Sequence, residues 1–263
     1  MPQARTIDEV IQALTGILQV CRDEKSRLGY FPALYRRVTE HVKDGISAGR
    51  FEDGARMERL DVAFANRYLE AWDAWRDGDQ VTACWRVAFE AGGRWRPVIV
   101  QHLLAGMNAH INLDLAIAAA ATCPGPEIES LKNDFDRINQ VLAELIDPVE
   151  QELAEVSPWI KLIETFGGHA DGAIVNFNIR AARDLAWKHA LQLADLQDSR
   201  QDVLLALAIR AMDRVVAGLG TLILRPGPLL QTGLLLVRVR EESDAAKAIE
   251  ALASQDATAG RPS

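Results

Sequence analysis

Apolar residues recur at helical spacing along nearly the whole chain. Thr6 and Glu9 form a capping box, and Ile7, Val10, Ile11, Leu14 and Ile17 follow it on one face, which predicts a helix to about Arg27. Leu34, Val38, Val42 and Ile46 repeat every four residues before Gly49. Leu60, Phe64, Tyr68, Trp72 and Trp75 mark a third helix, from about Ala55 to Asp77, with Gly78 as its stop. A short helix over about 80–91 ends at Gly92-Gly93, and Pro97 sits in the first turn of the next, which runs over about 98–122 to Pro124-Gly125-Pro126. Further helices are expected over about 126–146, ending at Asp147-Pro148, and over about 170–196, 200–219 and 229–253. ThrLeuIleLeu at 221–224 reads as the end of a buried turn. Alternating Val/Ile/Thr runs bounded by turns are absent, so the predicted fold class is all-α: one multi-helix bundle spanning 1–253, followed by a small-residue, disordered tail at 254–263.

The segment 98–122 breaks the pattern of the others. It carries no Lys, Arg or Glu, yet QHLLAGMNAHINLDL at 101–115 contains Gln101, His102, Asn108, His110, Asn112 and Asp114. At 100° per residue, Gly106, His110 and Asp114 lie about 40°, 80° and 120° from His102, on one slanting stripe. Gln101, Asn108 and Asn112 form a second stripe on the opposite side. Two stripes of short polar groups between apolar sectors describe a central helix packed on several sides. The segment is long enough to span a bilayer, but six polar side chains would need partners in lipid, so burial in protein is the better expectation.

Composition narrows the partners. A net charge of -8 with basic residues scattered among acids argues against nucleic acid. Three cysteines, Cys21, Cys84 and Cys123, are far apart and in apolar contexts, as in a reducing cytoplasm. The N-terminus has no apolar signal region, no membrane span is expected, and a homo-oligomer stays open. Hydrolase-elbow, phosphate-loop, dinucleotide-binding and CxxC motifs are missing.

Chemistry is therefore sought on the polar helix. His110 and Asp114 stand on adjacent turns, about 6 Å apart along the axis. That spacing offers two ligands to a divalent Zn, Fe or Mn ion, and equally lets an aspartate orient a histidine as general base. Asp61, at the start of the apolar run LDVAFANRYL, is the expected third ligand. His102, about 12 Å from His110 along the axis, reaches the same centre only if the helix bends at Gly106. His102 therefore stands as a further catalytic candidate, with a core hydrogen bond as the plainer alternative. Tyr68, Asn108, Arg183 and Trp187 are candidates for substrate binding, Arg183 for an anionic group. His169, after Gly167-Gly168, is a candidate of either kind, and His41 reads as structural.

The block HLLAGMNAHINLDLAIAA, with DVAFANRYL and NFNIRAARDLAW, resembles a family of uncharacterised, mainly actinobacterial proteins over most of residues 55–220. The resemblance implies a bacterial source and one domain, and carries no activity. Three functions compete. The first is a metal-dependent enzyme, of hydrolase or oxygenase type, acting on a small, largely apolar molecule. The second is a cofactor-free cyclase, isomerase or dehydratase using a buried His-Asp pair. The third is a non-catalytic ligand-binding helical protein.

Overall fold

The computed structural model describes residues 2–158 and 178–254, and among these there is no strand. The helices are α1 (Ile7–Asp23), α2 (Tyr30–Ser47), α3 (Gly54–Asp77), α4 (Ala83–Gly92), α5 (Ile99–Ala109), α6 (Leu115–Thr122), α7 (Lys132–Val156), α8 (Ile179–Asp198), α9 (Asp202–Leu224), α10 (Pro228–Arg240) and α11 (Ala245–Ala253). They pack as the multi-helix bundle that the periodicity predicts. His169 and the tail at 255–263 lie outside the described residues.

Local signals set most boundaries. Thr6 Oγ1 accepts from the Glu9 N–H, and the Glu9 carboxylate accepts from the Arg5 N–H, satisfying two amides at the start of α1. Gly78 closes α3 in the left-handed conformation, with φ of 79°. Some boundaries differ from expectation: α1 ends at Asp23, and α7 begins only at Lys132, after a 3-10 turn at Gly125–Leu131. Asp147-Pro148 does not end a helix, since α7 continues to Val156. The expected helix over 229–253 is two, because the chain turns between Arg240 and Ala245 and brings Glu241 into the interior. The residues ThrLeuIleLeu belong to α9 itself.

The central segment is the axis of the bundle. Ile99–Thr122 is long and apolar enough to cross a membrane, and 83% of its apolar window is buried inside the protein. α5 packs against α2, α4 and α9, while α6 packs against α3 and α8. Gly106 serves a close approach and not a bend: a Cβ there would stand 2.5 Å from the Phe31 ring of α2. The neutral stripe fixes register. Gln101 Nε2 donates to the Ile223 carbonyl at 2.7 Å and Asn108 Nδ2 to the Val216 carbonyl at 2.9 Å, both on α9. Asn112 Nδ2 bonds to Asn108 Oδ1 on its own helix at 3.0 Å. Gln101 and Asn108 use the second lone pair of helical carbonyls, and none of the three amide nitrogens is buried without a partner.

The last helices complete this core. Ala248, Ile249 and Leu252 of α11 enter it beside α1 and α2. Glu241 Oε1 accepts from the Ile99 N–H at 2.9 Å, so a carboxylate caps the positive end of α5.

Candidate functional site

Between α5 and α6 the helix widens into one π turn, His110–Asp114, in which the Leu115 N–H reaches the His110 carbonyl five residues back. Such turns insert a residue into a regular helix at a cost in hydrogen-bond geometry, and recur at functional sites. Here the turn carries the two residues that the spacing singles out. They do not stand apart as paired ligands. His110 Nδ1 bonds to Asp114 Oδ2 at 3.2 Å, and both side chains are buried.

Two other elements hold the aspartate. Trp85 Nε1 of α4 donates to the same Oδ2 at 2.8 Å, and Arg67 Nε of α3 approaches Oδ1 at 3.4 Å. Asp114 is 0% exposed, so these three donors replace the water that a carboxylate loses on burial. A carboxylate only accepts, so His110 Nδ1 carries the proton and Nε2 presents its lone pair. Burial holds the His110 imidazole below its ordinary value, against the opposing pull of Asp114.

Around this imidazole stands a wall of rings. Phe64 stacks on it at 3.6 Å between centroids, nearly parallel, and Tyr35 meets it edge-on at 4.5 Å. Phe31, Trp85 and Tyr68 follow at 5.7, 6.0 and 6.3 Å. Three buried polar atoms on the residues gathered here have no hydrogen-bond partner in the protein: His110 Nε2, Tyr68 Oη and Asp61 Oδ2. Asp61 shares a face of α3 with Phe64 and Tyr68. Burial, followed by the charge of Glu58, pushes the Asp61 carboxyl up to about 7. Burial pushes the Tyr35 hydroxyl well up, and the nearby carboxylates of Asp61 and Asp114 push it further. The Tyr68 hydroxyl is likewise raised by burial.

The other sequence candidates lie elsewhere. His102 sits near the start of α5, edge-on to Tyr30 at 5.6 Å, and burial lowers it to about 3. With no bend at Gly106, it does not join His110. Asn108 is committed to Val216 and Asn112. Arg183 is spent on Asn139 Oδ1 and the Phe135 carbonyl, and lies over the Phe135 ring at 4.5 Å. Trp187 packs on the same ring at 5.0 Å. This pair ties α8 to α7 and does not enter the ring enclosure. His41 bonds to the Arg37 carbonyl within its own helix. Among the described residues no three His, Cys, Asp or Glu side chains are grouped to hold an ion, so Asp61, His110 and Asp114 do not form a ligand set. Tyr35, Phe31, Trp85 and Arg67 were not singled out from sequence. Arg67 alone left a signal, as a cation inside the apolar run LDVAFANRYL.

A family model described as a family of unknown function, DUF5995, matches residues 7–226, in agreement with the resemblance carried by the HLLAGMNAHINLDLAIAA block. No curated protein and no solved structure matches the chain.

Proposed function

We propose that this chain, which belongs to the DUF5995 family, is a cofactor-free acid–base enzyme acting on a small, largely apolar molecule. The observation that carries the reading is the buried His110–Asp114 bond within a π turn, with Nε2 buried and unpartnered among packed aromatic rings. Asp114 fixes the tautomer and stabilises the imidazolium formed when Nε2 takes a proton, while Trp85 and Arg67 hold Asp114 in place. The lowered basicity of a buried imidazole still leaves it neutral, and so competent as a base, at ordinary pH. The metal-dependent enzyme suggested by the HxxxD spacing has less support, since both Asp114 oxygens and His110 Nδ1 are already engaged by protein donors and acceptors.

The test is solvent-proton exchange. A panel of small apolar carbonyl compounds and alcohols is incubated in heavy water with wild type and with His110→Gln, and deuterium uptake at carbon is followed by NMR. Uptake that depends on His110, in protein without stoichiometric metal, supports the reading. Stoichiometric metal lost on His110→Ala would overturn it. A second reading, non-catalytic binding of a small apolar ligand, draws on the closure of the site, where Tyr68 is 0% and His110 2% exposed. Binding without exchange selects that one.

A further inference from the structure

We infer that this protein docks on the surface of an anionic membrane through the outer face of α9, an apolar stripe edged by two arginines. The docking is independent of the His110 chemistry.

Helix α9, Asp202–Leu224, packs by one side on α4, α5 and α8, where Val216, Gly220 and Ile223 are buried. The bonds from Gln101 and Asn108 to its carbonyls fix that side on the bundle. The opposite side is apolar as well. At 100° per residue, Leu204, Leu207, Val215, Gly218 and Leu222 all lie within about 40° of Ala211, in one stripe about 27 Å long. A solvated helix face carries charged and polar side chains instead. Here Val203, Leu204, Leu207, Val215 and Leu222 are between 50% and 74% exposed. Side chains exposed to that degree protrude, so they form a ridge and do not line a groove. A Cβ added at Gly218, within the stripe, would meet nothing within 4 Å. A continuous apolar surface of this length marks an interaction site.

Charge selects the partner. Arg214 and Arg210 stand about 60° and 100° from Ala211, along one edge of the stripe. Both are exposed and, among the described residues, neither has an ion-pair partner. The two acids of α9 point the other way. Asp202 lies about 180° from Ala211, and Asp213, at about 160°, accepts from the Ala83 and Cys84 N–H groups at the start of α4. The outer face of α9 is therefore cationic on a protein of net charge -8. At physiological ionic strength charge is felt over about 8 Å, so this face, and not the net charge, meets a nearby surface.

A second copy of α9 would bring the same arginines to the contact and no carboxylate. In an antiparallel two-fold pairing the two arginine edges would lie against each other. A lipid surface supplies both halves of the complement: anionic headgroups for the guanidiniums, and acyl chains that accept a ridge without a preformed groove. An amphipathic helix in that setting lies in the membrane plane with its apolar face sunk about 5–10 Å below the headgroups.

The full chain is sedimented with vesicles of phosphatidylcholine alone and of phosphatidylcholine with about 30% phosphatidylserine. Wild type is compared with Arg210→Gln/Arg214→Gln and with Leu207→Gln/Val215→Gln, and the mass of each without lipid is measured by analytical ultracentrifugation. Glutamine is a good helix former and all four positions are exposed, so both variants should keep the fold. Each arginine near an anionic surface contributes about fivefold in affinity, so wild type should prefer the anionic vesicles by about twentyfold. The arginine variant should lose that preference and keep the weaker binding to neutral vesicles. The Leu207/Val215 variant should bind neither. Equal binding of wild type to both vesicles overturns the inference, as does binding that neither variant changes. A dimer dispersed by Leu207→Gln/Val215→Gln, with no vesicle binding, overturns it in favour of a second copy. A monomer that binds neither vesicle overturns it in favour of an acidic helix of another protein. Should the Leu207/Val215 variant fail to fold, the arginine variant still decides.

Discussion

Asp61→Asn turns the burial of one carboxyl into a measurable pH dependence. The group is held to about 7 in the folded protein against 3.8 when free, because ionising it in the interior is costly. A raised folded pKa means that the native state binds the proton more tightly than the unfolded chain does. The contribution to stability is therefore present in full below about pH 4 and is lost as pH rises through about 7. That difference corresponds to a ceiling of about 4 kcal/mol. Between pH 5 and 8, wild type should lose about 2–3 kcal/mol relative to Asp61→Asn, whose amide has no charge to bury. Other groups titrate in this window: burial lowers His110 and His189, giving slopes of the opposite sign, and raises Glu241, giving the same sign. All are common to both proteins, so the difference between the two curves isolates Asp61. Urea unfolding at pH 5, 6, 7 and 8 is the assay. The midpoints should separate by about 1 M at pH 8 relative to pH 5, for a slope of about 2–3 kcal/mol per molar urea. Parallel curves, or a wild type that gains on the variant as pH rises, would refute the burial of an uncompensated carboxyl at Asp61.

Asp114→Ala strands the Trp85 and His110 N–H donors in the core and should cost about 3–5 kcal/mol by chemical denaturation; a loss under 1 kcal/mol would mean that the carboxylate does not hold these donors together. Gly106→Ala, favourable for a helix by about 1 kcal/mol in isolation, should instead lower the melting temperature, because its Cβ meets the Phe31 ring at 2.5 Å; a rise would show that α2 and α5 can separate freely. Ending the chain at Pro226, where the family match ends, removes Ile249 and Leu252 from the core and the Glu241 cap from Ile99, so cooperative thermal unfolding should disappear; a truncated protein that melts as sharply as the whole chain would refute the unity of the fold.

Helix positions, the all-α class and the centrality of 98–122 were legible in the sequence because each depends on local periodicity and on breakers such as Gly78. So was the pairing of His110 with Asp114, since four residues along a helix bring two side chains together whatever surrounds them. Pro148 misled because a proline removes one hydrogen bond but does not forbid a helix that other contacts maintain. The ion-ligand reading was open for a different reason: spacing gives adjacency but not the occupancy of lone pairs. Only packing brought Trp85 and Arg67, from two other helices, onto Asp114, and so turned a two-ligand pattern into an oriented imidazole. The same holds for Tyr35 and Phe31, which read as ordinary core residues along α2 and meet the His110 ring only because Phe31 enters the notch at Gly106 and brings α2 against α5. One-dimensional pattern fixes which face of a helix is apolar. Which polar atoms remain unmet inside is set by the sum of all neighbours, and that sum exists only in three dimensions.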